Sequence, residues 1–370
     1  MSHRKKLLIN DLPVATWQKM VRLREADGFG LRTWGDWFAF HFRKVGINET
    51  DGDRININTR TSMFDMWAKN FGLNLPDILA GDTITDLVPE NAEEIDAGKK
   101  PPQGPSIIVG AGPSIWNHKH LDVLKTAIED GRYKGIVCAT DRMLIPCLER
   151  GIVPFISAGV DGSPIIKKFY DHPLVEKYAS QIRAVINATT EHSVIEHCKK
   201  IGVHIYWFNP MFDDPTMVNE SFTKLQKAMA TNERHPNGVP AMSCGGNAGT
   251  ATWTLSHSLL RRSPNALIGF DMGYPEGTNL EDTPYFSALM DAPKPSAHVS
   301  TLYWPIYHPI FKTNAIVDHV FESYCASLKS AVLRTWPWCE TVNCTEGGTL
   351  FGKRIKCMKF VDWIESLNVK

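Results

Sequence analysis

The chain has 370 residues, 43% hydrophobic and 22% charged, a globular balance with room for one large domain or two smaller ones. Lys plus Arg and Asp plus Glu number 40 each, so no global basic field argues for nucleic acid as a partner. No run reaches the ~18 apolar residues of a membrane span, the N-terminus lacks a signal-peptide core, and the eight cysteines form no C-x-x-C pair, so zinc is not expected and a cytoplasmic setting is.

Residues 1–75 are rich in aromatics, among them Trp17, Trp34, Trp37, Phe38, Phe40, Phe42, Phe64, Trp67 and Phe71. Their spacing predicts a small helical region, with Thr61-Ser62 capping a short helix that Gly72 ends. Residues 76–105 close on Gly98-Lys99-Lys100-Pro101-Pro102-Gln103-Gly104-Pro105, which is linker chemistry. From 106 to 275 strand patterns at 106–110, 135–140, 153–158, 183–188, 203–208 and 266–270 alternate with helix patterns at 118–130, 142–150, 190–201, 219–231 and 247–262. That alternation predicts an α/β fold: a Rossmann-like, mostly parallel sheet with helices on both faces. Residues 276–370 are expected as a C-terminal extension that completes the site, with helices at 314–333 and near 359–367.

The most informative stretch is Ser106-Ile107-Ile108-Val109-Gly110-Ala111-Gly112-Pro113-Ser114. A short β-favouring run meets two glycines, and Pro113 suits the first position of a helix. Without a Cβ, Gly110 and Gly112 allow a sharp turn and close approach, and free N–H groups at a helix start attract phosphate or carboxylate. Gly110, Gly112, Pro113 and Ser114 are therefore candidates for a nucleotide phosphate, although Ile115 stands where a dinucleotide fingerprint has its third glycine.

Ligands of parallel sheets bind beyond the carboxyl ends of strands, and here those ends carry Asp141, Asp161, Asn187 and Asp271. Asp141 stands where a Rossmann acid meets ribose, and Asn187 is grouped with it as a nucleoside contact. The carboxylates, Asp161 above all, are the candidates for Mg²⁺, and each also suits helix capping. A second glycine turn, Gly245-Gly246-Asn247, opens an apolar helix and would face a sugar carboxylate or second phosphate. His308 and His298 lie in a tyrosine-rich stretch where a general acid or base could act. Thr345-Glu346-Gly347-Gly348 is a tight turn that either reaches the crevice or ends a strand.

Taken in order, Val109-Gly110-Ala111-Gly112-Pro113-Ser114, Gly245-Gly246-Asn247-Ala248-Gly249-Thr250, Ile268-Gly269-Phe270-Asp271-Met272-Gly273-Tyr274 and Thr345-Glu346-Gly347-Gly348 resemble the MptE-like superfamily. That group includes the motility accessory factors, regarded as glycosyltransferases, and the archaeal 6-hydroxymethyl-dihydropterin diphosphokinases. The last turn is similar to the accessory-factor branch, whereas only Asp161-Gly162 survives of the diphosphokinase run after the third strand. The resemblance implies a nucleotide-dependent transferase moving a nonulosonic, sialic-acid-like sugar from a CMP donor to a protein or small-molecule hydroxyl. Asp271, Glu346 or His308 would then orient or deprotonate the acceptor. The alternatives are a diphosphokinase using ATP with Mg²⁺, and a non-catalytic nucleotide-binding module. A homo-oligomer is compatible with each.

Overall fold

The structure, a computed structural model, describes residues 51–211, 221–286 and 302–368. The chain divides into two compact units, Met1–Asp53 and Arg54–Lys370, and every candidate site residue lies in the second. Trp17, Trp34, Trp37, Phe38, Phe40, Phe42 and His298 lie outside the described residues.

Among the described residues thirteen strands form in chain order: β1 (Asp82–Thr83), β2 (Ser106–Val109), β3 (Ile136–Thr140), β4 (Ile156–Gly159), β5 (Arg183–Asn187), β6 (His204–Pro210), β7 (Ala241–Met242), β8 (Asn265–Ile268), β9 (Tyr274–Pro275), β10 (Tyr303–His308), β11 (Thr313–Asp318), β12 (Thr341–Asn343) and β13 (Ile355–Cys357). The main sheet runs β1-β6-β5-β4-β3-β2-β8-β12-β13, with β7 also on β6, and its pairings are parallel. Its order reverses between β2 and β8, where Val109 sits beside Ile268. A separate antiparallel ladder joins β10, β11 and β9.

Both faces are covered, so the strands are continuous apolar runs whose alternate residues serve different cores. Ile108, Cys138, Ala158, Val185, Phe208 and Leu267 pack beneath helices Ala248–Thr254 and His319–Leu333 through Ala251, Trp253 and Leu328. On the other face, Ile107, Val109, Val137, Ala139 and Ile268 meet Leu121 and Leu124 of helix His120–Glu129 and Phe360 and Trp363 of helix Phe360–Ser366. Further along that face Ala184, Ile186 and Trp207 meet Val194, Ile195 and Cys198 of helix His192–Ile201.

Four departures from the sequence expectation have physical causes. The helix before the sheet spans Asp51–Ala80, passing through Gly72 and Pro76. Gly72 would meet nothing within 4 Å if it carried a Cβ, so it is an exposed helical glycine and ends nothing. The 76–105 stretch is not an open linker, since Ile78, Ile84, Ala92 and Ile95 are buried and β1 pairs with β6. β12 and β13 extend the main sheet beyond β8, so residues 341–357 add strands to the same layer. Thr313–Asp318 is a strand rather than helix, and Asp318 caps the helix that follows by accepting from the Phe321 amide at 2.8 Å.

Candidate active site at the strand-order reversal

The carboxyl ends of β2 and β8 touch. The Gly110 amide donates to Ile268 O (2.8 Å) and the Gly112 amide to Gly269 O (2.9 Å). A Cβ on Gly110 would stand 2.6 Å from Gly269 O, and one on Gly269, whose φ is +72°, would stand 2.3 Å from Gly110 O. Only glycines permit this approach.

Asp271 lies directly over the first turn. Ser114 Oγ donates to Asp271 Oδ2 (2.7 Å) and the Ser114 amide to Oδ1 (3.3 Å). A Cβ on Gly112 would fall 1.9 Å from Asp271 Oδ2. The polar groups expected on a donor phosphate therefore already hold a carboxylate of the same chain. Burial pushes the Asp271 carboxyl up to about 6, against the lowering effect of the Ser114 bonds and of His118.

The turn after β12 is knitted to the same place. Thr345 Oγ1 accepts from the Phe270 amide (3.1 Å), the Thr349 amide donates to Asp271 O (2.9 Å), and Thr349 Oγ1 donates to Met272 O (2.7 Å). Glu346 adopts φ +64°, an unfavourable backbone for a residue with a side chain. Its Oε1 accepts from the Phe360 amide (3.1 Å) and from His120 Nε2 (3.3 Å). Burial opposes ionisation of Glu346, but the His120 and Phe360 hydrogen bonds with the charges of His118 and His120 hold the carboxyl below its ordinary value. His120 is buried, and its ring stacks on exposed His118 at 5.4 Å between centroids. Neither histidine stood out in the sequence. The available signal was position, since both follow the glycine turn directly and share its strand end.

A second polar group gathers beyond β3, β4 and β5. Asp141 is buried, and its Oδ1 accepts from the Arg142 amide (2.7 Å). Burial raises its carboxyl to about 7, and the charge of Asp161 adds to that rise. Gly159 makes room for Asp141, because a Cβ there would meet Oδ2 at 2.6 Å. Asp161 Oδ1 accepts from the Ser163 amide (2.8 Å) in a local turn. Asn187 Oδ1 accepts from the Thr189 amide (2.7 Å) and Oγ1 (2.6 Å), while Asn187 Nδ2 and Thr140 Oγ1 are buried without a partner. Helix Asp51–Ala80 pins the loops here: Asn70 Nδ2 donates to Gly162 O and Thr189 O, and Asn74 Nδ2 to Ala188 O and Thr190 O.

The Gly245-Gly246-Asn247 turn performs local work. Asn247 caps its helix by accepting from the Thr250 amide at 2.8 Å. Gly246, at φ +85°, lies against Tyr324, which a Cβ would meet at 2.5 Å. His308 is corrected as a candidate base: it is fully buried in the β10–β11 hairpin, Nδ1 accepts from the Phe311 amide (3.2 Å), and Nε2 donates to Leu350 O (3.3 Å). Both ring nitrogens are committed to backbone, which leaves neither to meet an acceptor. Among the described residues no group of three or more His, Cys, Asp or Glu is placed to hold a metal, and no helix is long and apolar enough to cross a membrane.

A model of the family described as 6-hydroxymethylpterin diphosphokinase MptE-like matches residues 69–277, more than half of the chain. The chain belongs to the MptE-like family. The matched segment of this MptE-like chain begins within the helix before the sheet and ends beyond β8, so it contains both strands of the reversal and Asp271. The Thr345–Gly348 turn lies outside it. No curated protein matches the chain. Among solved structures, the MAf glycosyltransferase from Magnetospirillum magneticum AMB-1 is similar with a TM-score of 0.46 and 14% identity over 69% of this chain and 33% of that one. The chain thus spans about a third of that protein's length.

Proposed function

We propose that this MptE-like chain is a nucleotide-dependent transferase that moves a nonulosonic-type sugar from a CMP donor to an acceptor hydroxyl. The observation that carries the reading is that Thr345 and Thr349, which flank Glu346 and its two glycines, bond residues 270–272 at the β2/β8 reversal. Strand-order reversals are where open α/β sheets take their ligands. Gly110, Gly112, Pro113 and Ser114 seat Asp271 at the edge of the donor site. Asp141 and Asn187 border the nucleoside end, where Asn187 Nδ2 is buried without a partner. Gly245, Gly246 and Asn247 border the site on the opposite face of the sheet. Transfer requires that the leaving phosphate be stabilised while the acceptor loses a proton, and acidic groups with shifted pKa values suit such a site.

A second reading, diphosphate transfer from ATP, keeps one observation in its favour. The charge of Asp161 adds to the rise of the Asp141 carboxyl, and among the described residues neither side chain forms an ion pair. Two carboxyls without an ion pair would suit Mg²⁺, which would neutralise phosphate charge when bound.

Thermal unfolding with CMP, CDP, ATP and GTP, each with and without Mg²⁺, tests both readings. A ligand at ~100 times its dissociation constant adds about 2.7 kcal/mol. Stabilisation by cytidine nucleotides without metal supports sugar transfer, and an ATP response that needs Mg²⁺ supports diphosphate transfer. Silence from all four removes both and leaves the chain without a nucleotide.

A further inference from the structure

We infer that His118 is the base that takes the acceptor's proton, and that Glu346 with buried His120 is the device that positions it. The inference rests on the transferase reading and deepens it. Geometry leaves few alternatives at the reversal. Asp271 is engaged by Ser114 through both oxygens, Glu346 Oε1 is held by His120 and the Phe360 amide, and His308 has both nitrogens on backbone. His118 is the exposed imidazole of the group. It lies one turn beyond Ser114, since its amide donates to Ser114 O at 3.0 Å.

Its surroundings suit a group that gains a positive charge during reaction. One side is the His120 ring, stacked at 5.4 Å and tilted by 23°. His120 is fixed in turn by Glu346, and by Phe360 edge-on at 5.5 Å between centroids. The charge of His118 reaches both carboxylates, Asp271 after β8 and Glu346 after β12, and favours their ionised forms. Glu346, at the strained φ of +64°, holds its carboxylate on His120. His120 Nδ1 is buried without a partner.

The step balances as follows. The acceptor O–H bond breaks and its proton passes to an imidazole nitrogen of His118. The freed oxygen pair bonds the transferred group, whose bond to the donor's phosphate breaks with its electrons on the phosphate oxygen. The imidazolium, held near Asp271 and Glu346, afterwards returns the proton to solvent.

The test uses the full chain, with hydrolysis of CMP–N-acetylneuraminate and Mg·ATP with 6-hydroxymethyl-dihydropterin as the two probe reactions. In whichever the wild type turns over, His118→Ala is expected to lose about 100-fold or more of kcat with KM little changed, the scale of a lost general base. Added imidazole should restore about tenfold of that loss, and His118→Gln should fall equally, which separates chemistry from folding. Glu346→Gln is expected to lose about tenfold without imidazole rescue, as a positioning residue would. His204→Ala, on an exposed residue at the amino end of β6, is the control expected to match wild type. A His118→Ala enzyme within about threefold of wild type, or one that changes KM alone or ignores imidazole, overturns the inference while the transferase reading stands. A wild type inert in both reactions removes the reading, and this inference with it.

Discussion

Asp271 occupies the space above Gly112 that the residues of the turn would otherwise offer to an anion, with Oδ2 2.7 Å from Ser114 Oγ. Ser114 and Asp271, 157 residues apart in sequence, belong to one unit: small residues after β2 make room for an acid that follows β8. The arrangement keeps a buried carboxyl near neutrality at the edge of the sheet, which is costly to the fold and useful to proton chemistry.

Removing the Ser114 hydroxyl tests that unit. Ser114→Ala leaves the Asp271 carboxylate with the Ser114 amide but without its shortest hydrogen bond. The expected cost is about 1–3 kcal/mol in urea unfolding at pH 7. The Asp271 carboxyl should rise further above about 6, readable by carbon NMR of the side chain. A variant as stable as wild type with an unmoved carboxyl would show that the bond carries no weight.

The two glycines of contrasting surroundings give a paired prediction. Gly112→Ala places a methyl 1.9 Å from Asp271 Oδ2 and 2.7 Å from Gly269 O, so the strand ends must separate. We expect a loss of about 3 kcal/mol or more, or failure to fold. Gly72→Ala, inside helix Asp51–Ala80 with nothing within 4 Å, should gain roughly 0.5–1 kcal/mol. Thermal unfolding of the two variants side by side checks both signs.

Asp141 predicts a pH dependence. Its carboxyl is raised to about 7 by burial and by Asp161, so it binds its proton more tightly in the folded chain than in the unfolded one. Its contribution to stability is therefore largest below the unfolded value of about 4 and declines as pH rises toward 7. Asp141→Asn should be more stable than wild type by about 2–4 kcal/mol at pH 8, with the advantage gone near pH 4. Denaturant unfolding of both proteins across that range reads the difference directly. A constant difference would mean that the carboxyl titrates normally.

Asn74 tests how the loops beyond β5 are held. Its Nδ2 donates to Ala188 O (3.2 Å) and Thr190 O (2.7 Å), and His192 Nδ1 lies 2.8 Å from its Oδ1. Asn74→Leu would leave two buried carbonyls without that donor, at an expected cost of about 2–4 kcal/mol. Hydrogen exchange should show opening confined to residues 188–192 at lower denaturant than the sheet. Opening that coincides with global unfolding would make the loop part of the core instead.

The α/β layout was legible in the chain because strands buried on both faces are apolar runs, and helices between them begin and end on recognisable residues. Gly202 ends helix His192–Ile201 at φ +85°, and Asn247 caps its helix as a short polar side chain should. The glycines at 110 and 112 and the acid at 271 were visible for the same reason: each is an unusual residue at the end of an apolar strand. Local sequence also determined the position of Asp141 and Asn187, since strand ends follow from where the apolar run stops.

What joined these residues was decided only in three dimensions. The order of strands depends on which apolar faces pair across long sequence separations, and nothing local to β12 says that it lies beside β8. That pairing brings Glu346 to His120 and Thr345 to Phe270, and it promotes His118 from an unremarkable residue to the exposed member of the site; a separate hairpin seals His308. Burial did the rest. The same aspartate type titrates normally in water, and it is the exclusion of water around residues 141 and 271, a property of the assembled sheet edge, that lifts their carboxyls toward neutrality.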